Sequence, residues 1–280
     1  MMAILEVNGL CKIYPGFRLG DVSFALTEGK ITGFIGRNGA GKTTTLKSLL
    51  GFVHPDAGSV RFFDMDWVGH EQQIKRQIGY VAGGVGFYPN KRLKAITEVT
   101  RSFYPDWDGT MYRSCMENFR LDESKTPSQL SEGMKVKYAL ALALSHHAKL
   151  LILDEPTSGL DPVSRDELLD ILLSLQREGT TILFSTHITS DLEKCADDIL
   201  YIRQGRIQAQ DDIKRFTAGY KYTTMTEEQY GRVDPAKLIG AKQGKDGWRA
   251  IVLAEDAPGL GAPCAEATLE TIMVHMEREG

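Results

Sequence analysis

The chain has 280 residues, 42% of them hydrophobic and 25% charged, which gives ample material for a folded core and no sign of bulk disorder. Its length admits one large domain, or a large one with a smaller appendage. A formal charge of -4 and an isoelectric point near 5.9 argue against nucleic acid as a partner, because that interaction leaves a basic excess or stripe.

No apolar stretch approaches the roughly 20 residues that span a bilayer, so any action at a membrane is expected to run through a partner. The first ten residues carry no charged stretch followed by an apolar one, and no signal peptide is expected. Cys11, Cys115, Cys195 and Cys264 are far apart and form no CxxC pair. That spacing favours reduced thiols in a cytoplasmic protein over a disulfide framework or a zinc site.

In chain order, residues 4–7 and 22–26 read as strands, and a turn at Thr27-Glu28-Gly29-Lys30 leads into the apolar run 31–35. Gly36-Arg37-Asn38-Gly39-Ala40-Gly41-Lys42-Thr43, with Thr44 behind it, fits GxxxxGK[ST] and opens a helical stretch over 42–50 that Gly51 ends. Strand, glycine-rich turn and helix are the context that gives this phosphate-loop motif its meaning. The glycines let backbone N–H groups turn inward around a phosphate chain where bulkier residues would clash. In that arrangement Lys42 reaches the β- and γ-phosphates of ATP, the Thr43 hydroxyl ligates Mg2+, and the helix dipole adds to anion binding.

A further strand over 78–81 is followed by a change of pattern. From about 86 to 148, Pro89, Pro105 and Pro127 punctuate segments of helical period, which predicts a helical subdomain inserted into an α/β fold. Within it, Leu130-Ser131-Glu132-Gly133-Met134-Lys135 precedes an apolar helix. Ser131 is placed as an N-cap, and Gly133 keeps the first turn open so that free N–H groups can grip an anion; a capped helix start is by itself equally a plain structural feature. His146 and His147 match no motif and are expected to face solvent.

The apolar run 150–153 ends in Asp154 and Glu155. Unpaired buried charge is costly, so two carboxylates there point to chemistry. Asp154 would meet a divalent cation bound to ATP, and Glu155, one residue beyond the strand, would poise the attacking water as general base. Short apolar runs at 181–185 and 199–202 then alternate with helical stretches at 162–176 and 189–195, which argues for a mostly parallel sheet. Beyond about 212 the pattern changes again. A strand over 248–253 follows a turn-rich 240–247, and Leu269, Ile272, Met273 and Met276 fall on one helical face. The reading is two domains, 1–212 and a small α+β unit over 213–280, the stripe filling that unit's own core; a docking helix for another protein is the alternative.

The phosphate loop, Leu130–Lys135, the 150–155 strand end, Ser158–Asp161 and a His187 after the next strand occur in an order that resembles the nucleotide-binding subunit of ABC transporters, over about residues 4 to 210. The stretches 102–108 and 183–193 resemble its bacterial ABC-2-type exporter branch. The resemblance implies a P-loop NTPase (RecA-like) core with an antiparallel β subdomain besides the helical one. It implies that Tyr14 stacks on adenine, that Ser131 and Gly133 contact the γ-phosphate of ATP held by a second ABC ATPase subunit in a homodimer or heterodimer, that Asp161 joins the two half-sites, and that His187 senses the γ-phosphate. Asp161 before Pro162 is also a plain helix-start signal. The partners so implied are that second subunit and a polytopic membrane permease, which places the chain at the inner face of the cell membrane. One departure stands out: where the family carries a Gln or acidic residue after the 78–81 strand, this chain has Gly83.

Two other readings share the nucleotide site. A soluble non-transport ABC ATPase acting on ribosomes or DNA usually carries two cassettes, a coiled-coil insertion or a basic extension, and none is present. A low-turnover nucleotide switch is favoured by Gly83 and opposed by an intact Glu155 and His187.

Overall fold

In the computed structural model, which describes residues 3–82 and 88–278, the chain opens on two long antiparallel strands, β1 (Ala3–Tyr14) and β2 (Phe17–Thr27), closed by a hairpin in which Tyr14 pairs with Phe17. The first strand runs well past the expected 4–7. Asn8 and Lys12 break its apolar alternation, but register shifts between Val7 and Lys12 absorb the break and let pairing continue. Next come β3 (Ile31–Ile35), α1 (Lys42–Leu49), β4 (Ala57–Phe62), β5 (Met65–Asp66) and α2 (Trp67–Lys75). The antiparallel sheet β2-β1-β4-β5 packs Leu5, Val7, Leu26 and Phe62 into one core with Phe34 and Leu46 beneath the phosphate loop.

After β6 (Ile78–Ala82), the Gly83 position lies outside the described residues. Helices α3 (Leu93–Arg101), α4 (Gly109–Asn118) and α5 (Glu132–Ser145) follow, and among the described residues from 88 to 148 no strand intervenes. They share a core of Leu93, Ile96, Tyr112, Met116 and Tyr138, in which the Thr97 hydroxyl lies 2.8 Å from both the Tyr112 and the Tyr138 hydroxyls. His146, expected at the surface, is buried instead. Its ring stacks on Tyr104 with centroids 3.9 Å apart, and its Nδ1 is 3.1 Å from the Arg76 carbonyl oxygen. Burial pushes its pKa down to about 4. His147 is exposed as expected.

The chain continues through β7 (Leu150–Asp154), α6 (Pro162–Arg177), β8 (Thr181–Thr186), α7 (Thr189–Cys195), β9 (Asp198–Arg203) and β10 (Arg206–Asp212). The central sheet has the order β10-β9-β3-β8-β7-β6, parallel except for β10. Its strands β3, β7 and β8 are buried throughout, which is why they read as unbroken apolar runs rather than alternating ones. Ile35 pairs with Thr186 and Asp154 with Ser185, so the three strands end level. The phosphate loop, Glu155 and His187 therefore emerge along one edge of the sheet, the carboxyl edge where open α/β folds bind ligands.

The remainder comprises α8 (Ile213–Ala218), β11 (Tyr220–Met225), α9 (Glu227–Tyr230), β12 (Ile239–Gly244), β13 (Gly247–Leu253), β14 (Cys264–Glu266) and α10 (Leu269–Met276). Two expectations are corrected. The turn-rich 240–247 is mostly β12, whose Gly240, at φ +59, takes up a register shift while Gly244 and Gly247 close the hairpin onto β13. The α10 stripe fills more than its own unit's core: Met225, Leu238, Ala250, Val252 and Leu260 form a separate small cluster, while Leu269, Ile272 and Met273 pack both with Ile251 of β13 and with Leu192, Cys195, Ile199 and Tyr201 of the main core, with Met276 against its edge. All four cysteines are free. Among the described residues no helix is long and apolar enough to cross a membrane.

Candidate functional site

The phosphate loop leaves β3 at Ile35 and closes on α1. Gly36 is required by space, since a Cβ there would stand 2.3 Å from the Ile202 carbonyl oxygen. Gly41 is required by conformation, with φ +114 immediately before the helix. The Ala40 N–H donates to the Arg37 carbonyl at 3.0 Å, tightening the turn, and the Ala40 carbonyl accepts from Gly205 N–H at 2.9 Å, which anchors it to the β9–β10 hairpin. Lys42 is 5% exposed; its ammonium donates to the Gly36 carbonyl at 2.6 Å and lies 3.3 Å from Glu155 Oε1.

Glu155 reaches this position through its backbone. At φ +51 it is a left-handed residue at a strand end, a conformation uncommon outside glycine and associated with functional sites, and it turns the side chain across the loop instead of along the strand. One carboxylate oxygen faces Lys42; the other lies 2.8 Å from His187 Nδ1, which carries the proton when the carboxylate is ionised. Thr43 Oγ1 donates to Asp154 Oδ1 at 3.3 Å. Ser185, fully buried on β8, donates to the same Asp154 oxygen at 2.6 Å and accepts from the Glu155 N–H at 3.1 Å. Ser185 thus sets the Asp154 carboxylate and the Glu155 backbone together. Nothing in the sequence marks it except its level with Asp154 once the strands are paired.

These groups border a cleft of about 590 Å³ lined by Gly16, Phe17, Arg37, Asn38, Gly39, Gly41, Lys42, Thr43, Thr44, Glu155, Ser158 and His187. Gly16 and Phe17 carry no motif in the sequence; they arrive through the β1–β2 hairpin, whose strands run beyond the expected 4–7 and 22–26. Tyr14 does not line the cleft. It pairs with the lining residue Phe17 across the hairpin, and the Lys12 ammonium lies 5.8 Å from its ring centroid.

Ser131, Gly133 and Asp161 are likewise absent from the cleft and form a second patch where α5 and α6 begin. Ser131 caps α5 by accepting from Met134 N–H at 3.2 Å. Asp161 caps α6, accepting from Val163 and Ser164 N–H at 3.0 and 3.1 Å and from the Ser164 hydroxyl at 2.6 Å. A Cβ on Gly133 would meet Ser164 at 3.5 Å and Leu160 at 3.7 Å, ordinary contacts, so packing within this chain does not require glycine there.

A sequence family described as ABC transporter matches residues 19–158. The chain is 34% identical over 211 residues to the bacitracin transport ATP-binding protein BcrA of Bacillus licheniformis, covering 74% of this chain and 69% of that one. It is 36% identical over 207 residues to the lantibiotic transport ATP-binding protein SrtF of Streptococcus pyogenes, covering 73% of this chain and 89% of its relative. Among solved structures, an ATP-binding subunit of an ABC transporter superposes with a TM-score of 0.69 at 29% identity, over 76% of this chain and 91% of that one.

Proposed function

The chain belongs to the ATP-binding subunits of ABC transporters, the family whose members bind and hydrolyse ATP, and from this premise we propose that it powers an ABC-2-type exporter as one half of an ATP-sandwiched dimer seated on a separate membrane permease. The observation that carries the reading is the convergence of Lys42, Glu155 and His187 on one cleft, beside the paired oxygens of Thr43 and Asp154. The relatives named for bacitracin and lantibiotic transport support the exporter role.

In this reading Lys42, Thr44 and the N–H groups of residues 36–44 hold the phosphate chain. The incoming γ-phosphate takes over Lys42 from Glu155 as counter-anion. Glu155 is then free to take a proton from water, whose oxygen attacks the γ-phosphorus while the bond to the β,γ-bridging oxygen breaks and its electron pair leaves with ADP. His187 holds Glu155 on one side and meets the γ-phosphate on the other. Thr43 and Asp154 fit Mg2+: their oxygens lie 3.3 Å apart, near the roughly 3.0 Å between adjacent ligands in an octahedron of 2.1 Å bonds. Thr43 and Asp154 would hold the cation from the protein side; among the described residues there is no group of three or more His, Cys, Asp or Glu that could hold a metal. When bound, Mg2+ neutralises charge developing on the phosphates.

Tyr14 serves the adenine, and Ser131, Gly133 and Asp161 serve the nucleotide of the other subunit. The second patch, separate from the cleft and holding a glycine that its own chain does not need, supports that assignment. The cassette over 1–212, the C-terminal unit over 213–280, and a cytoplasmic, membrane-peripheral location complete the reading. The test is sizing of a Glu155→Gln variant with and without Mg·ATP, beside purification from membranes. The expected results are an ATP-dependent dimer and co-purification with a polytopic protein; a monomer that binds ATP tightly, alone or with any partner subunit, contradicts the sandwich.

A further inference from the structure

His187 is followed after one residue by α7, and α7 lies between the phosphate-loop strand and the C-terminal helix. On one side Leu192 is pressed so closely to β3 that a Cβ on Gly33 would stand 2.3 Å from its Cδ2. On the other side Leu192 and Cys195 share a core with Leu269, Ile272 and Met273 of α10. A polar tie crosses this junction: Glu193, on α7, accepts from the backbone N–H of Leu269, the first residue of α10, at 2.8 Å. A first-turn N–H has no partner within its own helix, so a carboxylate supplied by another helix both satisfies it and suits the dipole.

The far end of α10 is held as well. Glu277 accepts from the Tyr201 hydroxyl at 2.9 Å and lies 4.0 Å from Arg203, both on β9. Toward the C-terminal sheet, His275 Nδ1 is 2.8 Å from the Gly240 carbonyl oxygen, and a Cβ at Gly240 would meet the His275 carbonyl oxygen at 2.0 Å. Helix α10 is therefore fixed to the β12 sheet and braced at both ends on the cassette. Between α10 and the loop of His187 lies a cavity of about 610 Å³ bordered by Arg37, His187, Thr189, Glu270 and Met273. The mechanical link from α10 to His187 accordingly passes through α7.

We propose that Glu193 is a positioning residue for ATP hydrolysis: by capping α10 from α7 it couples the C-terminal unit to the element that presents His187 to Glu155. The inference rests on the reading of His187 as the γ-phosphate contact. Glu193 is not among the residues lining the phosphate-loop cleft, so its loss slows turnover without weakening ATP binding, and a side chain that keeps the acceptor oxygen restores it.

The test is steady-state hydrolysis by the full chain carrying Glu193→Ala, Glu193→Gln, His187→Ala, or Glu193→Ala with His187→Ala. Glu193→Ala is expected to lower kcat by about tenfold with KM for ATP within about twofold of the parent, and Glu193→Gln to recover to within about threefold. The double variant is expected to be no slower than His187→Ala alone, because both changes act on one group. An unchanged kcat in Glu193→Ala overturns the proposal, as does a double variant slower by the full product of the two single effects. A wild-type rate in His187→Ala removes the reading of His187 itself, and the coupling with it. Should Glu193→Ala not fold, Glu193→Asp, shorter by one methylene, carries the test: kcat unchanged in that variant refutes the coupling, and kcat lowered at constant KM with recovery in Glu193→Gln supports it.

Discussion

Replacing Ser185 with alanine removes one oxygen from the fully buried end of β8. That oxygen donates to the Asp154 carboxylate at 2.6 Å and accepts from the Glu155 N–H at 3.1 Å. The Glu155 N–H keeps a second acceptor, the Ser185 carbonyl oxygen at 3.1 Å, and Asp154 keeps the Thr43 hydroxyl at 3.3 Å. The loss is then chiefly one hydrogen bond to a charged group, about 2 kcal/mol. In a chain of this size that lowers the melting temperature by about 4–8 °C. The functional effect is separate. With its orienting donor gone, Asp154 holds a cation less well, and removal of such a supporting partner typically weakens metal affinity by about 10–100-fold. Thermal melting followed by circular dichroism reads the first quantity, and the Mg2+ dependence of ATP hydrolysis at saturating ATP reads the second. A variant that melts as the parent does, or that melts lower with an unchanged half-saturating Mg2+, refutes the claim that Ser185 orients Asp154.

His146 makes stability depend on acid. The unfolded imidazole takes its proton near 6.5 and the folded one near about 4, so between those values the unfolded state binds more protons and stability falls as pH falls. From pH 7.5 to 5 the parent should lose about 2 kcal/mol more than His146→Gln, measured by guanidinium unfolding, and parallel losses would contradict the burial of a neutral ring. Gly133→Ala should melt no lower than the parent, since the added Cβ meets only ordinary contacts, yet hydrolyse ATP at least about tenfold more slowly. A fall in melting temperature with full activity would place the role of Gly133 in packing.

The chemistry of this chain is legible because it is local. A glycine-rich turn with a lysine and a threonine, and two acids at the end of an apolar run, declare phosphate and metal binding from neighbouring residues alone. The parallel strands buried on both faces were legible too, because apolar runs this short, bounded by turn residues, suit strands covered on both sides. What could not be read is what depends on which elements meet. Ser185 is an ordinary strand serine until pairing sets it level with Asp154. His146 looks like a helix-end surface residue until Tyr104 and Arg76 close over it. The α10 stripe shows helical period but not its partners, which are the cassette core and Ile251 of the neighbouring sheet together. In β12, glycines that predict turns serve a bulged strand and a hairpin, because backbone freedom suits both.

The central claim is that Glu155, turned by its left-handed backbone to lie between Lys42 and His187, carries the proton of ATP hydrolysis. Single-turnover hydrolysis with prebound Mg·ATP, comparing the parent with Glu155→Gln, tests it most directly. The account predicts tight binding in both and cleavage slowed by about 100-fold or more in the variant, within the range lost with a general base; cleavage at the parental rate in Glu155→Gln would contradict it.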